Sequence, residues 1–139
     1  MAYGTANVDN IQSSTTGTPV VFKDGNGTQI GTLCRAWVQF QGGNGNTAGT
    51  INASFNTSSI TVNGTGDYTM NFTTALADNK YAAMGCGDTN NGVGPQHIQV
   101  FWNVSGNSAS SPTTSGFRFG NTNSGSGVNT ATICMAVFR

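Results

Sequence analysis

The sequence predicts an all-β fold: an antiparallel β-sandwich or jelly-roll-like barrel, preceded by an extended N-terminal arm. Three observations carry this. No long segment shows the 3.6-residue helical period, several runs alternate apolar and polar residues with a period of two, and Gly, Asn, Ser and Thr fill the stretches between them. That mixture is poor in strong helix formers and rich in turn formers, with Thr also at home in strands. Trp37, Trp102, Tyr68, Tyr81 and eight phenylalanines sit within the patterned runs, which argues for a folded chain rather than a disordered one. A length of 139 residues suits one domain.

The elements follow in order. Residues 1–18 hold Val8 and Ile11 as their only bulky aliphatics after Tyr3, so they cannot form a core; they read as a flexible tail or an arm laid on another chain, the arm being preferred. The single β-domain then occupies 19–139. Its first strong strand is 29–41, with Cys34, Ala36, Val38 and Phe40 on one face and Arg35, Trp37 and Gln39 on the other. A tryptophan on that second face needs cover, from a second layer or a neighbouring subunit. Residues 41–50 form a Gly/Asn loop. The clearest hairpin runs from 58–62 through Asn63-Gly64-Thr65-Gly66 into 67–73, because Asn-Gly accepts the positive φ of tight turns. In its return strand Tyr68, Met70 and Phe72 face inward and Thr69, Asn71 and Thr73 outward, a half-buried antiparallel pattern. Residues 80–86 form a strand, 87–96 a loop, and 97–104 a strand with Ile98, Val100, Trp102 and Val104 inward. A low-complexity loop over 106–113 and a strand over 114–120 carrying Phe117 and Phe119 come next. A turn at 121–127 leads to the final strand, 128–138, with Ala131, Ile133, Met135 and Val137 in register. Roughly eight short strands joined by Gly-rich turns are the mark of a sandwich or barrel.

Charge excludes several functions. Charged residues are 7% of the chain, against roughly 25% in ordinary soluble domains. There is no glutamate, and five basic residues cancel five aspartates. No basic patch recommends nucleic acid and no polybasic stretch recommends anionic lipid. No apolar run approaches the ~18 residues of a membrane span, and the N-terminus lacks the basic and apolar regions of a signal peptide. Cys34, Cys86 and Cys134 show no metal-ligand spacing, and their odd number fits free thiols made in a reducing cytoplasm, with one disulfide plus one leftover thiol as the alternative.

Catalytic chemistry finds little purchase. The single histidine, His97, precedes an alternating strand, and no serine or threonine sits in a nucleophile-elbow context. Each aspartate has a structural explanation: Asp24 in Asp-Gly-Asn-Gly, Asp67 after a turn, Asp78 before Asn79, Asp9 in the arm and Asp88 in a loop. The segment 24–28 resembles the start of a calcium loop but has no distal glutamate, so the turn reading is preferred. No phosphate loop is present. Trp37, Phe101 and Trp102 are candidates for a sugar-stacking platform, weighed against burial in a core or subunit interface. The sequence therefore implies no catalytic, cofactor or metal residues.

The run Gly31-Thr32-Leu33-Cys34-Arg35-Ala36-Trp37-Val38-Gln39-Phe40 resembles the CRAWVxF strand of small virion proteins and tail-fibre C-terminal domains of tailed phages, notably marine and cyanobacterial ones. In that family a Gly-rich turn follows, then a pattern matched here by Ser54-Phe55-Asn56, Ser58-Ser59-Ile60-Thr61, 63–69 (NGTGDYT) and Asn71-Phe72-Thr73-Thr74-Ala75, with Asp78 to Tyr81 as the closing Asp-x-x-Tyr. Ala2-Tyr3-Gly4-Thr5 and Ile11-Gln12-Ser13-Ser14 resemble the segment before the strand. The similarity covers residues 29–84 closely and 2–28 more loosely, and it departs at 41–50, where the loop here is longer and richer in Asn and Gly.

The resemblance implies a non-enzymatic structural protein on the outer surface of a virion, synthesised in the host cytoplasm and acting as an oligomer, with a homotrimer as the expected state. It is expected as a tail-fibre or attachment module, with capsid decoration, clamping adjacent capsid subunits, as the alternative. A length of 139 residues without a coiled-coil or β-helical shaft favours decoration or a small knob, whereas the motif's place in fibre tips favours attachment. Partners would be further copies of the chain, other virion proteins and a host glycan or envelope. Tyr3, Val8, Ile11 and Trp37 are the expected oligomer or particle contacts. Asn44, Asn46, Asn90, Asn91, Phe101 and Asn107 mark the expected receptor or neighbour-contact loops.

Overall fold

The computed structural model describes residues 10–12, 14, 20–43, 45, 47–88, 97–100, 112–123 and 126–139. Apart from 10–12 and 14, the expected arm lies outside them. The chain divides into two compact units between Leu33 and Cys34.

In the first unit, β1 (Phe22–Lys23) pairs antiparallel with β2 (Gln29–Gly31). The turn between them is built by Asp24, whose Oδ1 accepts the backbone N–H groups of Asn26 at 2.9 Å and Thr28 at 2.8 Å. An aspartate carboxylate closing its own local turn is the behaviour that sequence reading assigned to this residue. Gly27, at φ 84°, supplies the left-handed step that the turn needs.

The second unit holds β3 (Cys34–Gln41), β4 (Ile51–Phe55), β5 (Thr57–Gly64), β6 (Asp67–Phe72), β7 (Ala82–Gly87), β8 (His97–Val100), β9 (Gly116–Asn123), β10 (Ser126–Gly127) and β11 (Thr132–Phe138). One sheet has the order β4-β3-β11-β7. The other runs β5-β6-β9, with β8 and the short β10 also paired to β9. Every pairing is antiparallel. Alternate residues of both sheets meet in one core: Ala36, Val38 and Phe40 of β3 and Ile133, Met135 and Val137 of β11 on one side, Tyr68, Met70 and Phe72 of β6 and Phe117 and Phe119 of β9 on the other. This is the all-β sandwich that the period of two predicts. Phe40 packs edge-on against Tyr68 with ring centres 5.2 Å apart, and Phe119 lies 6.0 Å from Phe40. Each such buried side chain contributes roughly 1.5–3 kcal/mol.

Several boundaries differ from expectation: the final strand, expected from 128, begins at Thr132, and 126–127, expected in a turn, form β10. The strand expected over 29–41 is two strands, because β11 ends at Phe138, which pairs with Cys34 across a bulge, and no partner continues that ladder. The hairpin turn sits at Thr65-Gly66 rather than starting at Asn63, since Gly64 still pairs with Asp67 and Gly66 takes φ 66°. Residues 121–123, expected in a turn, extend β9 because Asn121 and Thr122 pair with Ile98 and His97 of β8. Finally β4, not anticipated as a strand, adds to β3 through Trp37 opposite Phe55 and Gln39 opposite Ala53.

Candidate functional site

The outward side of the β4-β3-β11-β7 sheet brings together residues from four separate stretches of sequence. Cross-strand register makes two neighbouring rows of side chains. One row is Phe55, Trp37, Ala136 and Met84; the next is Ala53, Gln39, Cys134 and Cys86. Neither row contains a charged residue. Trp37 is 39% exposed, Phe55 55% and Met84 62%. Trp37 and Met84 bound an open groove of about 670 Å³ whose lining also includes Gln39, Cys86 and Cys134.

Local sequence explains the shape. β7 reads Ala82-Ala83-Met84-Gly85-Cys86-Gly87, so its larger side chains point outward and its inward positions are small. A Cβ at Gly85 would lie 2.7 Å from the Cys134 carbonyl oxygen and closer still to the Met135 sulfur. Only glycine lets β7 lie this near to β11. At the other side, Thr57 Oγ1 donates to the Trp37 carbonyl at 3.1 Å, tying the first residue of β5 to the middle of β3. Gln39 Nε2 donates to Cys134 Sγ at 3.9 Å. Burial pushes the Cys134 thiol above its ordinary range; the Gln39 contact opposes that shift, and the neighbouring Cys86 and Asp88 add to it.

The outward side of β5-β6-β9 has the opposite chemistry. Asn71 Nδ2 donates to Ser59 Oγ at 3.1 Å and Thr61 Oγ1 at 3.0 Å, while Asn63 Nδ2 donates to Thr69 Oγ1 at 3.0 Å and Asp67 Oδ1 at 3.3 Å. Arg118 forks onto both carboxylate oxygens of Asp67, with Nε to Oδ1 at 2.7 Å. That pairing raises the affinity of the guanidinium for its proton.

The described aspartates all have structural partners. Besides Asp24 and Asp67, Asp78 accepts the Lys80 N–H at 2.8 Å and forks with Arg139, which lowers its pKa chiefly through the Arg139 hydrogen bonds. Asp88 accepts the Ala131 N–H at 3.1 Å. Two tyrosines close the ends of the core. Tyr68 Oη donates to the Gly42 carbonyl at 2.6 Å and lies 3.1 Å from Asn129 Oδ1. Tyr81 Oη lies 3.1 Å from the carbonyls of Thr113 and Gly116. Burial pushes both phenols up to about 12.

Of the residues that the sequence nominated, Trp37 sits at the centre of the apolar face, and Ile11 is 66% exposed in the first unit. Tyr3, Val8, Asn44, Asn46, Asn90, Asn91, Phe101 and Asn107 lie outside the described residues, as does Trp102, and so does the side chain of His97. Phe55, Met84, Cys86 and Cys134 were not anticipated beside Trp37. The alternation within 80–86 already separates Met84 and Cys86 from the inward positions, but only strand order places them on the tryptophan's face.

No protein-family model matches the chain, and no curated protein matches it either. Among solved structures it is similar to the phiAB6 tailspike, a structure in complex with three-repeated oligosaccharides of Acinetobacter baumannii surface polysaccharide. The TM-score is 0.48 and the identity 17% over 96% of this chain. The chain spans 30% of that tailspike's length.

Proposed function

We propose that this chain is a non-enzymatic structural protein of the outer surface of a tailed-phage virion, working as a homo-oligomer in a tail-fibre or attachment module. The observation that carries the reading is the uncharged, partly exposed face around Trp37. Aromatic residues and methionine are enriched in protein interfaces, and charged residues are depleted from interface cores. Contiguous exposed apolar surface of this kind marks an interaction site. The motif similarity over residues 29–84 supplies the class of assembly, and the low charge suits an exposed particle protein whose stability depends little on salt-sensitive ion pairs. In this reading Trp37 and its row contact further copies of the chain, Tyr3, Val8 and Ile11 tether the domain to the particle, and the Asn-rich loops meet host glycan or envelope. Repetition in the oligomer lends avidity to weak individual contacts.

Antibody labelling of intact particles, viewed by electron microscopy, tests this. Label at the tail or fibre tips is the expected result. Label over the head would replace attachment with capsid decoration, the Trp37 face then clamping capsid neighbours. Absence of label, with the epitope accessible on the free protein, would overturn the virion-surface reading.

A further inference from the structure

We propose that Cys86 and Cys134 form a disulfide when the folded chain meets a small-molecule disulfide such as oxidised glutathione, stapling the edge strand β7 to the interior strand β11. Register carries the inference: Cys134 stands directly opposite Cys86, and both point to the outward side of the sheet. The N–H of Asp88 donates to the Thr132 carbonyl at 3.0 Å, two residues along from each cysteine in the same register. Cys86 and Cys134 therefore occupy a hydrogen-bonded pair, whose Cα atoms stand about 5.5 Å apart. That falls within the roughly 4.4–6.8 Å Cα separation that disulfides span, and closing the bond draws the two Cβ atoms from the roughly 5 Å of directly opposed residues to about 4 Å. Gln39 Nε2 donates to the Cys134 sulfur from the neighbouring strand at 3.9 Å. Cys34 is excluded as a partner. It pairs with Phe138, and it lies five residues along β3 from Gln39, the residue opposite Cys134; that is about 17 Å of strand.

The exchange balances as follows. Cys86, the exposed member, attacks as thiolate on one sulfur of oxidised glutathione. A protein–glutathione bond forms and one glutathione thiolate leaves. The Cys134 thiolate then attacks the Cys86 sulfur, closing the protein disulfide and expelling the second glutathione. The two protons lost by the protein thiols pass to the two departing thiolates. The protein is oxidised by two electrons and one glutathione disulfide is reduced to two thiols. The inference rests on strand register alone and stands apart from the virion reading.

The test uses the full chain, reduced, desalted and equilibrated with oxidised glutathione. Remaining thiols are then alkylated and the protein digested with trypsin. Cleavage after Lys80 and Arg118 puts Cys86 in peptide 81–118 and Cys134 in 119–139, with Cys34 in 24–35. The expected product is 81–118 joined to 119–139 within one chain, with the Cys34 peptide unjoined to either. Cys34→Ser gives the same cross-link, and Cys86→Ser leaves Cys134 as a free thiol or a glutathione adduct. Peptides 81–118 and 119–139 recovered unjoined, a bond involving Cys34, or cross-links only between chains on a non-reducing gel would each overturn the proposal.

Discussion

On the outer side of β5, β6 and β9 the alternating positions are Ser59, Thr61, Asn63, Asp67, Thr69, Asn71 and Arg118, and they satisfy one another through side-chain hydrogen bonds. On the outer side of β4, β3, β11 and β7 the equivalent positions are Phe55, Trp37, Gln39, Cys134, Ala136, Met84 and Cys86. Both faces cover the same core with the same period of two. One is finished by its own polar groups, and the other leaves aromatic and sulfur-bearing side chains in open groove. The period of a strand therefore says which side is inward, while the outward side needs its own chemistry read before a face is taken as solvent-facing.

The largest expected effect tests the polar face. Asp67 is 8% exposed, and Arg118→Ala leaves its carboxylate without the forked partner. That substitution is expected to lower unfolding free energy by roughly 2–4 kcal/mol in urea melts, because a nearly buried charge loses its compensation. A loss below ~0.5 kcal/mol would mean that Asn63 and water replace the guanidinium.

Alkaline titration comes next. Tyr68 and Tyr81 ionise at about 12 in the folded chain, against about 10 when unfolded. Their contribution is complete below pH ~10, and stability falls as pH rises from ~10 to ~12, because the unfolded phenols release protons first. Tyr81→Phe should flatten that fall, read by denaturant midpoints at successive pH values.

Asn71→Ala removes the amide that bridges Ser59 and Thr61. A cost of about 0.5–1.5 kcal/mol is expected, with oligomeric state unchanged by sedimentation.

The smallest stability effect belongs to the apolar face. The Phe55→Ser, Met84→Ser double variant should change monomer stability by less than ~1 kcal/mol, since both side chains are more than half exposed. In the proposed oligomer, association between copies should weaken by roughly tenfold or more in analytical ultracentrifugation, as expected when interface anchors are truncated. Unaltered association with a large stability loss would reverse the assignment of the two faces.

Much of the inward architecture was legible because burial imposes a strict alternation. Val38 and Phe40, Tyr68 and Met70, and Ile133 and Met135 all point where the period put them. The candidate face was only half legible. Trp37 stood out as an aromatic on the supposedly polar side of its strand, but Phe55 lay in a short strand masked by its Asn- and Ser-rich setting. Cys86 and Cys134 are 48 residues apart in sequence (134 − 86). Periodicity carries no information about which strands pair, and the hydrogen-bond ladder that joins β3 to β11 spans almost the whole second unit. The turn at Thr65-Gly66 was displaced from the Asn-Gly signal because pairing of Gly64 with Asp67 lengthened the ladder beyond what local propensity specified.

The position of β11 between β3 and β7 also sets the order of events during synthesis. β3, β4 and β7 leave the ribosome before the strand that lies between two of them exists. Until residues 132–138 emerge, β3 has one edge unpaired and β7 has no neighbour in its sheet, whereas β5 and β6 close on each other at once through a two-residue turn. The hairpin is a local pairing, and the sheet that carries the apolar face closes only through long-range contacts. Such nonlocal pairing slows folding and exposes strand edges while the chain waits. Lysine, glutamate and arginine, the usual guards of a waiting edge, are nearly absent from these strands, so the burden of keeping nascent chains apart falls on the speed with which β11 is delivered.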